Sequence, residues 1–234
     1  MKLNGIFGKG SGKVGESVWA VSGGVQIVRP YNPNVTNPNT SAQVEQRAKF
    51  KLMSQLAVAL SPAIAFRKQG LVSARNQFVS KNIGSATFAN NQATADLTAL
   101  QLTPSNVALP SLAIGEVGQG TFSVALATGA ASDIKRVAYF VYKKAEDDTL
   151  QYVASQIIDV AGNDRKFPAN FNNVEGDLIV YAYGIKDNSA EATLKYENYM
   201  AEVAGDEAML NVVSLFRSSA YGLTQTQALI LEVQ

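Results

Sequence analysis

The chain has 234 residues, 47% hydrophobic and 17% charged, with no cysteine, no histidine and a formal net charge of +1. This composition supports a buried core in one large domain or two small ones. The missing residue types exclude disulfides, thiolate nucleophiles, metals ligated by Cys or His, and any base or triad built on imidazole, so the expectation is a non-enzyme without a cofactor. Charge is strongly segregated: residues 1–81 carry +9 and the remainder −8.

Glycines at 5, 8, 10, 12, 15, 23 and 24 and prolines at 30, 33 and 38 break up the first 39 residues. Two β-like runs, Ser17–Val21 and Val25–Val28, lie between them, and Ser22-Gly23-Gly24 reads as a hairpin loop. Residues 31–39 form an extended connector. Thr40 then caps a helix, with Gln43 completing a capping box. Its apolar stripe is Val44, Ala48, Leu52, Leu56 and Ala59/Leu60, and Pro62 ends or kinks it. A helical continuation is expected over Ala63–Lys68, and a second helix over Leu71–Lys81 with Leu71, Ala74 and Phe78 on one face. Asn82-Ile83-Gly84-Ser85 stops that helix.

From about residue 86 the apolar period becomes 2. Strands are predicted at Ala95–Leu102, Thr121–Ala127, Val137–Lys143, Leu150–Val160, Asp177–Ile185 and Thr193–Val203, with turn residues between them. The sandwich core is expected to include Tyr139, Tyr142, Tyr181 and Tyr183, with a tyrosine corner among them. In the tail, Met209, Val212/Val213 and Phe216 fit a helix face. Residues 228–233 fit a strand that pairs with the sandwich or with the N-terminal hairpin. The expected fold is α+β: a β-hairpin and two-helix module (1–85), an antiparallel immunoglobulin- or fibronectin-like β-sandwich (86–204) and a C-terminal tail (205–234).

Gly10-Ser11-Gly12-Lys13-Val14-Gly15 matches a GxGxxG pattern. A β-like run follows it instead of a helix, and no acid lies between Glu16 and Glu45, so a dinucleotide site is not expected. A P-loop fails as well, with Phe7 at the first glycine position and Val14 at the Mg²⁺-binding hydroxyl position. Glu146-Asp147-Asp148 resembles half of a Ca²⁺ site but reads as a solvated hairpin tip, with Asp159 and Asp164 similar. The candidate partner- or phosphate-contacting residues are Lys9, Lys13, Arg29, Arg47, Lys49, Lys51, Arg67, Lys68 and Arg75. Trp19, Tyr31 and Phe7 are available either for stacking on bases or for the core.

Gly12-Lys13-Val14-Gly15, Val18-Trp19, Gly24, Val28-Arg29, Asn37-Pro38-Asn39-Thr40, Ala42-Gln43 and Gln46-Arg47-Ala48-Lys49-Phe50 together resemble a family of functionally uncharacterised proteins. That domain of unknown function is common in Bacteroidota and their mobile elements. The resemblance covers about a third of the chain. It implies a β-rich, immunoglobulin-like continuation and a phage setting, and it brings no activity, cofactor or catalytic residues.

The leading expectation is a non-enzymatic structural or assembly protein, a bacteriophage virion component contacting other virion proteins or copies of itself. Nucleic-acid binding through the basic third is the alternative, and a surface-binding adhesin using the sandwich loops comes third. No signal peptide or membrane span is read from the sequence: Leu52–Phe66 is too short and too polar. The expected location is the virion or the host cytoplasm.

Overall fold

Breaker residues shape the start of the chain in the computed structural model, which describes residues 10–34, 38–105, 112–118, 121–126, 134–145, 149–159, 166–170, 177–202 and 213–231. Strands β1 (Gly12–Val14), β2 (Ser17–Ser22) and β3 (Val25–Pro30) form an antiparallel sheet in chain order. The β2–β3 connection is the two-residue loop Gly23-Gly24, with φ 56° and 81°. A turn with two positive φ angles twists with the flanking strands, and glycine adopts it without steric penalty. Gln26 ties the ribbon together. Its amide oxygen accepts from Gly10 N at 3.0 Å, and its amide nitrogen donates to Gly10 O at 2.9 Å and to Ala20 O at 3.1 Å. This ribbon lies in the first of two compact units, Met1–Val44; the second is Glu45–Gln234.

Helix α1 spans Ser41–Ala59. Thr40 Oγ1 accepts from Gln43 N at 3.4 Å. The reciprocal half of the capping box is missing, because Gln43 Oε1 is buried without a partner. The buried stripe is Met53, Leu56, Ala57 and Leu60, while Val44 is exposed. The expected stripe thus holds in its C-terminal half, while no residue in the N-terminal half of α1 is buried.

Residues 63–68 are not helical. Ala63, Ile64, Ala65 and Phe66 are all buried, and Ala65 N donates to Leu102 O, which fixes an extended path. Helix α2 (Ala74–Asn82) starts three residues later than predicted. Ser73 caps it by accepting from Asn76 N at 3.2 Å, and Leu71 lies outside it, 67% exposed. A 3-10 turn, Ile83–Ser85, then leads to the hairpin β4 (Ala86–Ala89) and β5 (Gln92–Ala95).

The strand predicted over Ala95–Leu102 is a correction. Only Ala95 is in a strand, and Leu97–Ala99 is a 3-10 turn held by Asp96 Oδ1, which accepts from Thr98 N at 2.9 Å. Leu97, Leu100 and Leu102 point inward from an irregular segment, which the period-2 pattern imitates.

Strands β6 (Leu112–Gly118), β7 (Thr121–Leu126) and β10 (Lys166–Asn170) form a three-stranded antiparallel sheet ordered β10-β7-β6. The main sheet places β11 (Leu178–Asp187) beside β8 (Arg136–Lys144), and β8 beside β9 (Leu150–Asp159). On its other side β11 pairs with both β12 (Tyr221–Leu223) and β13 (Gln227–Leu231). The tail strand therefore joins the large sheet and not the N-terminal hairpin.

The strand predicted over Thr193–Val203 is helix α3 (Ala190–Glu202). Ala192 and Tyr196 are buried and Tyr199 and Met200 half-buried, a 3.6-residue spacing, and Ser189 Oγ accepts from Ala192 N at 3.2 Å. The protein is thus a mixed α+β molecule rich in antiparallel sheet.

The core gathers one face of the main sheet. Ala138, Phe140 and Tyr142 of β8 and Ile179, Tyr181, Tyr183 and Ile185 of β11 pack with Met53 and Leu56 of α1, Leu60 just after it, Phe78 of α2, Tyr196 of α3 and Phe216. The opposite sheet face, Val137, Tyr139, Val141, Leu178, Val180 and Ala182, is also buried, each residue 3% exposed or less. The four tyrosines expected inside are inside. Their hydroxyls do not form a tyrosine corner: Tyr181 donates to Leu97 O at 2.9 Å and Tyr183 to Ala63 O at 3.3 Å, bonds that pin distant loops to the sheet.

Candidate functional site

The ribbon β1–β3 sorts its side chains by strand alternation. Lys13 pairs with Val18 and Val18 with Arg29, so both cations share one face. Lys13 Nζ sits 3.8 Å from the ring centroid of Tyr31, two residues beyond Arg29. On the other face Gly12, Trp19 and Val28 form a cross-strand row flanked by Val14 and Val21. Val14 is 61% exposed, Val28 43% and Val21 42%. The ribbon therefore carries its two cations on one face, together with Val18 and exposed Ile27, and Trp19 with three exposed valines on the other.

The other expected contact residues divide by use. Arg67 Nη2 donates to Tyr221 O at 3.0 Å, which ties the segment after α1 to the edge of the sheet. Arg75 Nη2 donates to Ser54 O at 3.0 Å, which links α2 to α1. Lys49 Nζ is 2.6 Å from Glu45 one helical turn away. Arg47 and Lys51 lie one turn apart on the exposed side of α1, and Lys68 is exposed. Lys9 and Phe7 lie outside the described residues. Trp19 is half-buried and Tyr31 exposed. Of the described cations, Lys13 and Arg29 face solvent together on the ribbon, and Arg67, Arg75 and Lys49 have structural partners.

Two arginines outside that set hold key positions. Arg217 donates through Nε and Nη2 to Ile64 O, at 3.1 and 2.7 Å. With Arg75, Ser61 and Ser73 it lines a cleft of about 340 Å³. Arg136 is 4% exposed. It lies 2.6 Å from Asp187 and 2.9 Å from Asp159, and its guanidinium stacks 3.7 Å from the Tyr196 ring centroid. Asp187 Oδ2 also accepts from Thr193 Oγ1 at 2.8 Å. A lone arginine opening an apolar strand, with an aspartate ending each neighbouring strand, is the sequence signal for this hub. That signal becomes readable only once strand register is known.

Burial sets the unusual titration behaviour. It pushes Tyr139 and Tyr196 up to about 12, and raises Tyr142, Tyr181 and Tyr183 further. Asp96 is held below the usual carboxylate range, chiefly by the Thr98 hydroxyl. The tyrosines belong to the core, so these shifts describe folding and not a reaction centre. Among the described residues, no group of three or more carboxylates could hold a metal. Glu146-Asp147-Asp148 and Asp164 lie outside those residues, and Asp159 is the exposed partner of Arg136. The GxGxxG stretch runs into β1 and the Gly15-Glu16 turn, with a strand and not a helix after it.

The fold and surface define a mixed α+β protein carrying a three-stranded β-ribbon with exposed apolar and basic side chains. Residues 8–97 match the model of a family of unknown function, DUF6266. That stretch spans the ribbon, α1, α2 and the β4–β5 hairpin. No curated protein matches the chain. Among the described residues, no helix is long and apolar enough to cross a membrane.

Proposed function

We propose that this protein is a non-enzymatic structural or assembly protein that acts through protein–protein contacts, in the setting of a bacteriophage particle. The exposed apolar face of the ribbon carries the reading. Val14, Trp19, Val21 and Val28 share one sheet face whose three valines are exposed, as is Ile27 on the other, and a small sheet gains stability when such apolar surface is covered. The charge segregation along the sequence supplies a second motive, since opposite poles favour contacts between chains. The phage setting follows from the family resemblance alone.

The immunoglobulin-like sandwich is part of the same proposal. The buried second face of the main sheet, with Tyr139 and Val141 at its centre, supports a layer formed by the β10-β7-β6 sheet. Helices then cover one side of the main sheet and strands the other.

The alternative reading, nucleic-acid binding, rests on the shared basic face of Lys13, Arg29 and Tyr31. It is weakened by the internal partners of Arg67, Arg75 and Lys49. Light scattering of the full chain over a concentration series, with proteomics of purified particles, tests the proposal. Self-association or incorporation into particles is expected. A chain that stays monomeric and is absent from particles, while binding DNA with a steep salt dependence, overturns it in favour of the alternative.

A further inference from the structure

We infer that strand β3 of one copy adds to the open edge of β9 in a second copy, and this rests on the assembly reading above. The acceptor is a long edge. Among the described residues β9 pairs only with β8. A bulge opposite Val141 and Tyr142 interrupts the ladder at Val153, and beyond it Ala154–Asp159 runs in regular register. Those six residues, Ala-Ser-Gln-Ile-Ile-Asp, contain no Lys and no Pro, and their one charge is terminal. Beyond the bulge this edge has no Lys or Pro to block strand addition, and among the described residues its outer N–H and C=O groups have no strand partner. The donor matches it in length: β3 is also six residues long and forms the outer strand of the ribbon.

Charge favours this edge over the exposed apolar surface on and near α1. Phe50, Val58, Leu71 and Val72 are exposed on or near α1, but residues 45–81 carry +6 and would repel the ribbon, whose stretch 9–31 carries +2. Asp159 is the exposed carboxylate at the end of β9, and the sequence from 145 to 164, whose other four carboxylates lie outside the described residues, has no Lys or Arg. A basic strand is drawn to that region, and backbone pairing supplies the fit. The ribbon's apolar face would then continue the main sheet instead of facing water.

The chain has no cysteine, so single reporters can be introduced cleanly. The experiment mixes full-length Val28→Cys protein with differently tagged Ile158→Cys protein and adds a short bismaleimide. A heterodimer linked through positions 28 and 158 is expected, with its yield lowered several-fold by Arg29→Glu on the donor. A second pair, Val28→Cys with Leu194→Cys, should give background only. Circular dichroism of each variant checks that a lost crosslink is not a lost fold. Equal yields from both pairs overturn the inference. So does crosslinking found only within one chain in the Val28→Cys/Ile158→Cys double variant. Light scattering that still shows association without the crosslink overturns this edge and leaves the assembly reading intact. Monomer throughout, with steep DNA binding, overturns both.

Discussion

Arg136 illustrates how much a single side chain decides in this core. Its guanidinium is buried, paired with an equally buried Asp187 and an exposed Asp159, and stacked on Tyr196. Removing one partner of a buried pair leaves an uncompensated charge, whereas an exposed ion pair contributes little. Asp187→Asn should destabilise the fold by roughly 3–5 kcal/mol, and Asp159→Asn by less than about 1 kcal/mol. Urea denaturation of the two variants checks the contrast, and equal effects would contradict the buried hub. The core tyrosines make a second residue-scale prediction. Their folded values lie above the unfolded value near 10, so the folded state retains protons that the unfolded chain has lost. Their stabilising effect is complete below pH 10 and falls as pH rises towards the folded values. At roughly 1 kcal/mol per tyrosine for each pH unit, five of them remove on the order of 5 kcal/mol by pH 11, comparable with a domain's whole stability. Tyrosinate absorbance and loss of circular dichroism should therefore rise together in one step between pH 10 and 12. Gradual ionisation with the fold intact would show that these hydroxyls are not held by the core.

Among elements, local signals were legible where turn chemistry or a cap fixed them. Gly23-Gly24 marked its hairpin, Thr40 the start of α1, and the apolar runs at 137–143 and 177–185 the two central strands. The errors share a cause. Residues 193–203 alternate apolar and polar well enough to imitate a strand, but Ser189 starts a helix and tertiary burial selects Ala192 and Tyr196 from the ambiguous pattern. Leu97, Leu100 and Leu102 were misread for the same reason: their period came from loop residues pointing into a shared core. The β4–β5 hairpin was missed although Asn90 and Asn91, at φ 52° and 60°, form the same kind of turn as the glycine pair. At the candidate site the ribbon's two faces were hidden until register placed Lys13 and Arg29 on either side of Val18, and the structural roles of Arg67 and Arg75 depend on backbone carbonyls far away in sequence. Helix α2 gives the element-scale prediction. It is nine residues long and has no acid in its first turn, so its start depends on the Ser73 hydroxyl. Ser73→Ala should cost about 1 kcal/mol and Ser73→Asp should restore it, measured as shifts in the urea midpoint at constant m-value. An unchanged midpoint for Ser73→Ala would mean that packing of Phe78 and Val79 alone sets the helix.

For the molecule as a whole, a near-neutral total conceals a chain with +9 in its first 81 residues and −8 in the rest. Two forces could drive copies together, and salt separates them by sign. Attraction between exposed opposite charges is screened as the Debye length falls from about 30 Å at 0.01 M salt to about 8 Å at 0.15 M. Contacts made only by the apolar ribbon face would instead hold or strengthen in a salting-out medium such as sulfate. Strand addition guided by charge combines the two, with steering from Lys13 and Arg29 and lasting contact from backbone pairing. Raising NaCl from 0.02 to 0.5 M should therefore slow association markedly and change dissociation little, as read by surface-immobilised chain binding free chain. Arg29→Glu should reproduce the loss of on-rate at low salt and become indistinguishable from the parent chain at high salt. A salt response confined to dissociation would place the charges inside the contact instead of around it, and would move the interface away from the edge of β9 that ends at Asp159.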